Sequence, residues 1–118
     1  MDLGLQDKVI IVTGGGAGIG AGISRACLAE GARVIVLGRP SQNVKDFMAE
    51  MKAANAKCDL VEAHLEDTNR CKEAIAAIES TYGAIDGLVN NAGVNDGCGL
   101  ESGSVERFLE SIAKNLTH

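Results

Sequence analysis

The chain has 118 residues, room for one domain that buries roughly two-thirds of its surface. At 46% apolar, only 3% aromatic and with 15 glycines, its core must be aliphatic, which suits layered α/β packing better than a β-sandwich. A formal charge of −5 argues against nucleic acid or an anionic membrane as principal partner and leaves room only for a local basic site that takes a small anion.

The N-terminus MDLGLQDKV lacks a basic segment followed by an apolar one, and no apolar run approaches the ~18 residues of a membrane span. A soluble, cytoplasmic protein is the expectation. Val9–Val12 is a continuous β-branched run, as a strand covered on both faces requires. Behind it stands TGGGAGIG, Thr13 to Gly20, with five glycines in eight residues. Ile19, Ile23, Ala26 and Cys27 then fall at helical spacing, and Gly31 after Glu30 closes the helix. Arg33–Leu37 is a second buried strand. Val44, Phe47, Met48 and Met51 form the core-facing stripe of a second helix.

A third, more charged strand lies within Cys58–Leu65. The helix after it carries Cys71, Ala74, Ile75, Ile78 and Tyr82 on one face, with Thr68 as its expected N-cap. Ile85–Asn90 gives a fourth strand, and a final helix carries Val105, Phe108, Leu109, Ile112 and Leu116. The pattern is βαβαβαβα without repeats or linkers, which means a parallel sheet wound by right-handed crossovers. Cys27, Cys58, Cys71 and Cys98 have neither CxxC pairing nor a histidine pair at zinc spacing, so reduced thiols and no metal site are expected.

Strand, glycines and helix start, in that order, make an arrangement that binds phosphate. The helix N-terminus offers unpaired N–H groups and partial positive charge, and bare backbone lets a diphosphate lie close. Gly14 permits the tight turn, Gly18 keeps a Cβ out of the ligand's path, and Gly20 lets helix and strand approach. The spacing is G-x-x-x-G-x-G rather than G-x-G-x-x-G; a plain sharp turn is the alternative. A second motif, Asn90-Asn91-Ala92-Gly93, follows the fourth strand. In a doubly wound sheet the ends of strands one and four adjoin at the topological switch point, where ligands bind. The two motifs should therefore meet, the asparagine amides tying strand ends together and bonding a ribose.

Thr13–Gly20 as T-G-x-x-x-G-I-G, Gly83–Gly93 as G-x-I-D-x-L-V-N-N-A-G, and Asn115-Leu116 together resemble the short-chain dehydrogenase/reductase family over essentially the whole chain. The stretch NNAGVNDG, Asn90 to Gly97, further resembles bacterial sugar dehydrogenases of the L-fucose dehydrogenase type. The resemblance implies an NAD(P)-dependent oxidoreductase acting on a secondary alcohol or carbonyl, in a Rossmann-type doubly wound sheet of strand order 3-2-1-4. It implies that Gly14, Gly15, Gly16, Gly18, Ile19 and Gly20 wall the cofactor's diphosphate and adenosine side. Arg39 follows the second strand, where the adenosine ribose is read. His64 and Leu65 fall beside adenine, and Asn91 and Gly93 along the ribose. Asn115 matches an active-site asparagine that holds a water in a proton relay.

The place of the acidic residue usual in NAD-specific members is Gly38, followed by Arg39. A guanidinium binds a 2′-phosphate bidentately where a carboxylate would repel it, so NADP(H) is favoured, with NAD(H) and dual specificity left open. A solvated Arg39, or one stacked on adenine, is the alternative. His64 stands where the family has Asp or Asn; a neutral imidazole accepts from adenine in one tautomer, or the residue has no special partner. Asn95 and Asp96 suit a hydroxyl-rich substrate such as a sugar, the alternative being a surface turn.

The family's proton-transfer tyrosine, its lysine and its substrate-orienting serine have no counterpart here. Tyr82 stands alone on a core-facing helix position, and Lys114 precedes Asn115 on the wrong side of the fold. Residues 1–118 are therefore expected to be the N-terminal, cofactor-binding part of a longer homotetrameric or dimeric dehydrogenase, inactive by themselves. A non-catalytic dinucleotide-binding module is the alternative.

Overall fold

The structure is a computed structural model that describes residues 1–94, 99 and 101–117. Four strands and four helices alternate along it: β1 Val9–Thr13, α1 Gly18–Ala29, β2 Arg33–Gly38, α2 Gln42–Ala53, β3 Cys58–Glu62, α3 Thr68–Tyr82, β4 Gly87–Val89 and α4 Val105–Asn115. The strands form one sheet in the order β3-β2-β1-β4, every pairing parallel. The expected order 3-2-1-4 is thus the observed one. Ile11 is the central register point, opposite Ile35 on one side and Leu88 on the other.

Alternation along the strands divides the core in two, because successive side chains point to opposite faces. Val9, Ile11, Ile35 and Leu37 pack with Ala74 and Ile78 of α3. Ile10, Val12, Val34 and Val36 pack with Ala21 of α1 and with Phe47 and Met51 of α2. Being covered on both faces, β1 is buried at all five residues, which is why its run is apolar throughout. Ser24, fully buried in α1, is tolerated because its hydroxyl donates to the Gly15 carbonyl at 2.8 Å.

Three sequence expectations shift. The α3 N-cap is Asp67 rather than Thr68: its carboxylate accepts from the amides of Asn69 and Arg70, both at 3.1 Å, and Thr68 becomes the first helical residue. Ile19 and Ala26 leave the core stripe of α1, whose buried residues are Gly20, Ala21 and Ser24. Ile19 is 79% exposed because it sits in the helix's first turn, beyond the C-terminal ends of the strands. The last helix forms, capped by Ser104 accepting from the Arg107 amide at 3.2 Å, but none of its residues is buried and Leu116 is its C-cap. Val105, Phe108 and Leu109 are exposed along it.

Candidate functional site

The C-terminal ends of all four strands open onto one cleft of about 530 Å³, a size suited to a small-molecule ligand. The β1–α1 loop supplies one wall through Gly14, Ala17, Gly18 and Ile19. Gly38, Arg39 and Ser41 line it after β2, and Ala63, Leu65 and Glu66 after β3. Asn91 to Val94 follow β4, and Lys114 reaches it from α4.

The glycine loop divides into residues that face the cleft and residues that hold the loop in place. Gly14 and Gly18 line the cleft with φ of +63° and +52°, backbone that L side chains adopt at a cost. A Cβ on Gly18 would meet nothing within 4 Å, so the space in front of it is open. Behind the loop, a Cβ on Gly20 would stand 2.1 Å from the Gly14 carbonyl oxygen and 2.5 Å from the Asn91 amide nitrogen. Gly15 and Gly16 back onto Ser24 and Val12, and onto Val44. Among the glycines assigned to the wall, Gly15, Gly16 and Gly20 are thus buried packing positions that do not line the cleft.

The N-terminus of α1 faces this space without a side-chain cap. Ala17 is the N-cap and offers no side-chain oxygen, and no acidic residue occupies the first turn. Its leading amides and the positive end of the helix dipole are directed at the cleft, an arrangement that attracts an anion.

Thr13 and Asn91 join the two motifs. The Thr13 hydroxyl accepts from the Asn91 amide at 2.9 Å and the Ala92 amide at 3.0 Å, and donates to the Val89 carbonyl at 3.3 Å. The Asn91 side chain donates to the carbonyls of Thr13 and Gly14 at 3.0 and 3.3 Å. Its amide therefore serves the loop, while Gly93 lies against Asn115, whose Oδ1 would be 2.7 Å from a Cβ there.

Asn115 sits at the end of α4 and holds the chain leaving β4. Its Oδ1 accepts from the Val94 amide at 2.7 Å; its Nδ2 donates to the Val94 and Ser111 carbonyls, each at 2.9 Å. Lys114, assigned to the wrong side of the fold, instead lines the cleft, its ammonium paired with Glu110. That pairing holds the Glu110 carboxyl below its ordinary range.

On the opposite rim, Arg39 and Glu66 both line the cleft with Arg39 Nη2 3.9 Å from Glu66 Oε1. Leu65 is buried behind them. His64 lies beyond the end of β3, its side chain 65% exposed, and is not among the lining residues; its Nδ1 is 4.0 Å from the same Glu66 oxygen. Asn95 and Asp96 lie outside the described residues, as does Cys98. Glu66 and Ser41 were not singled out by spacing and belong to the site through strand-end geometry, whereas Lys114 reaches it through the return of α4.

The tyrosine is elsewhere. Tyr82 carries the Arg33 guanidinium 5.3 Å over its ring, and Arg33 pairs with Asp59 at 3.1 Å. Arg33 and Asp59 stand at the starts of β2 and β3, so this cluster is at the far end of the sheet from the cleft. Burial, and then the Asp59 carboxylate, push the Tyr82 hydroxyl up.

A family model described as short chain dehydrogenase matches residues 8–118. The chain belongs to that family. Among the chain's curated relatives, 2,5-dichloro-2,5-cyclohexadiene-1,4-diol dehydrogenase LinX of Sphingobium indicum is 31% identical over 113 residues, 96% of this chain and 45% of the relative. The 7alpha-hydroxysteroid dehydrogenase of Bacteroides fragilis is 31% identical over 115 residues, 95% of this chain and 44% of its own length. Among solved structures, a variant of actinorhodin polyketide ketoreductase crystallised with NADPH superposes with a TM-score of 0.85 at 32% identity, over 94% of this chain and 42% of that one. The chain thus spans less than half the length of these relatives. Among its described residues no helix is long and apolar enough to cross a membrane.

Proposed function

We propose that residues 1–118 are the cofactor-binding part of an NAD(P)-dependent oxidoreductase whose intact form interconverts a secondary alcohol and a carbonyl. The observation that carries this is the uncapped start of α1 opening, across Gly18, onto the same cleft as Arg39. The residues present suit a nicotinamide dinucleotide. Bare backbone at Gly14 and Gly18 leaves room for a diphosphate, and the α1 amides complement its charge. A guanidinium at the end of β2 complements a 2′-phosphate on the adenosine ribose, so NADP(H) is the proposed form over NAD(H).

When bound, the nicotinamide supplies or accepts the hydride. The chain's own residues position it. Thr13 and Asn91 hold the two motifs at fixed separation, and Asn115 fixes the turn after β4 through Val94. In this proposal Asn115 also stands in the family's proton-relay position. The narrower substrate reading, a sugar such as L-fucose, rests on the Asn90–Gly97 resemblance and on the polar pair Asn95 and Asp96. The relatives named above, a diol dehydrogenase and a hydroxysteroid dehydrogenase, support the broader class.

The 118 residues alone are proposed to bind cofactor without turnover. Tyr82 supports this: it is occupied with Arg33 at the far end of the sheet, and its environment raises its pKa where a proton-transfer tyrosine needs a lowered one. Titrating the chain with NADPH and NADH, and repeating with Arg39→Ala, tests the assignment. A preference for NADPH that the substitution abolishes supports it; a preference that survives unchanged removes Arg39 from the role. Sugar-dependent NADPH production by these residues alone would overturn the claim of inactivity.

A further inference from the structure

Arg39 is not alone on its rim of the cleft. One carboxylate oxygen, Glu66 Oε1, stands 3.9 Å from its guanidinium and 4.0 Å from His64 Nδ1. Both Arg39 and Glu66 line the cleft, with side chains 46% and 32% exposed. The two arrive from the ends of adjacent parallel strands, β2 and β3, whose last registered pair is Gly38 with Glu62.

We propose that Glu66 is a specificity-determining residue that weakens this chain's grip on a phosphorylated adenosine ribose by sharing Arg39 with it. The inference rests on the assignment above of a nicotinamide dinucleotide to the cleft. At 3.9 Å the pair is beyond hydrogen-bond reach, so neither partner satisfies the other's donors or acceptors. A 2′-phosphate can offer the guanidinium a bidentate, charge-assisted contact that Glu66 does not make. It must do so beside a carboxylate already facing the same cation, and like charges at such separations repel. An unphosphorylated ribose brings no second negative charge and meets no such opposition. Arg39 attracts the phosphate and Glu66 moderates it, so the ratio of the two cofactors is set by the pair.

The direction of the effect separates this from a merely structural ion pair. Exposed pairs contribute little to stability, so replacing Glu66 should leave the fold intact. The probes are adenosine 2′,5′-bisphosphate and ADP, titrated calorimetrically into the chain at fixed low ionic strength. Glu66→Gln should tighten the bisphosphate about fivefold, a shift of about 1 kcal/mol, while changing ADP by less than about twofold. Glu66→Ala should move both in the same sense. In an Arg39→Ala background the Glu66→Gln effect should shrink, since the competition for a shared cation is gone and only the direct repulsion between carboxylate and phosphate remains. An unchanged or weakened bisphosphate affinity in both Glu66 variants, with Arg39→Ala still costing affinity, overturns the role of Glu66 and leaves the cofactor assignment standing. If the unsubstituted chain binds neither nucleotide, the cofactor assignment fails and this inference falls with it.

Discussion

Asn91 reaches back 78 residues to donate its side-chain amide to the Thr13 carbonyl at 3.0 Å, while its backbone amide donates to the Thr13 hydroxyl at 2.9 Å. One residue at the end of β1 and one beyond β4 therefore fix the spacing of the two loops that bound the cleft. The bonds are partly buried, and a buried polar group that loses its partner costs more than the bond was worth.

Replacing Thr13 by Val keeps the shape and removes the oxygen on which the Asn91 and Ala92 amides converge. The expected cost is about 2 kcal/mol in denaturant unfolding. Thr13→Ser, which retains the oxygen and loses one methyl, should cost about 1 kcal/mol. Equal losses in the two variants would show that the hydroxyl is not the joint.

Gly20 and Gly18 separate stability from binding. A Cβ on Gly20 would lie 2.1 Å from the Gly14 carbonyl oxygen, a backbone atom that cannot turn aside. Gly20→Ala should cost about 3 kcal/mol or more. Gly18→Ala meets nothing within 4 Å and carries only the strain of its φ of +52°, about 1 kcal/mol. Its added methyl nevertheless projects into open space in front of α1, so nucleotide affinity should fall at least tenfold in a fold that thermal melts show to be intact.

The order of the sheet was legible because crossover handedness and short connections leave few alternatives. The meeting of TGGGAGIG with NNAG followed from that order. What was not legible depends on direction rather than periodicity. Ile19 fits the helical stripe by spacing, yet at the first turn that face looks over the end of the sheet. Asp67 and Thr68 are both good capping residues, and only the backbone at Asp67, extended at φ −92° and ψ 104°, decides between them. Glu66 reads as one more solvated acid, since its proximity to Arg39 arises from the β2–β3 register and not from any spacing along the chain. Lys114 was misplaced for a related reason: where α4 returns relative to the strand ends is a three-dimensional fact.

Asn115 makes a two-way clasp with Val94, accepting from its amide at 2.7 Å and donating to its carbonyl at 2.9 Å. Asn115→Ala should barely alter global stability, because the residue is exposed. It should accelerate hydrogen exchange at the Val94 amide by about tenfold. Unchanged protection there would show that Asn115 does not organise this turn.

Cys58 gives a pH signature. Burial, and secondarily the Asp59 carboxylate, push its thiol from 9.0 to about 11. Between those values the unfolded chain has lost a proton that the folded chain retains, so stability should fall as pH rises through this window. Cys58→Ala should flatten that part of the stability-versus-pH curve. Near neutral pH the folded Cys58 thiolate should be about a hundredfold scarcer than that of a free thiol, and its alkylation correspondingly slower. Measured by mass spectrometry, alkylation of Cys58 at the rate of a free thiol would contradict this.

The clasp between β1 and β4 also has a temporal side. Its hydrogen bonds join residues 76 to 79 positions apart, whereas the loop's own tie, from Ser24 to Gly15, spans 9. Closing so long a stretch of chain is entropically late, and contacts of that separation slow folding. The glycine loop can take its turn early, but the cleft it borders is complete only once β2, β3 and their helices are in place and β4 has docked. Nucleotide binding would then mark the last event in assembling this sheet, and a chain interrupted before Asn91 would leave the carbonyls of Thr13 and Gly14 without the amide that ties them.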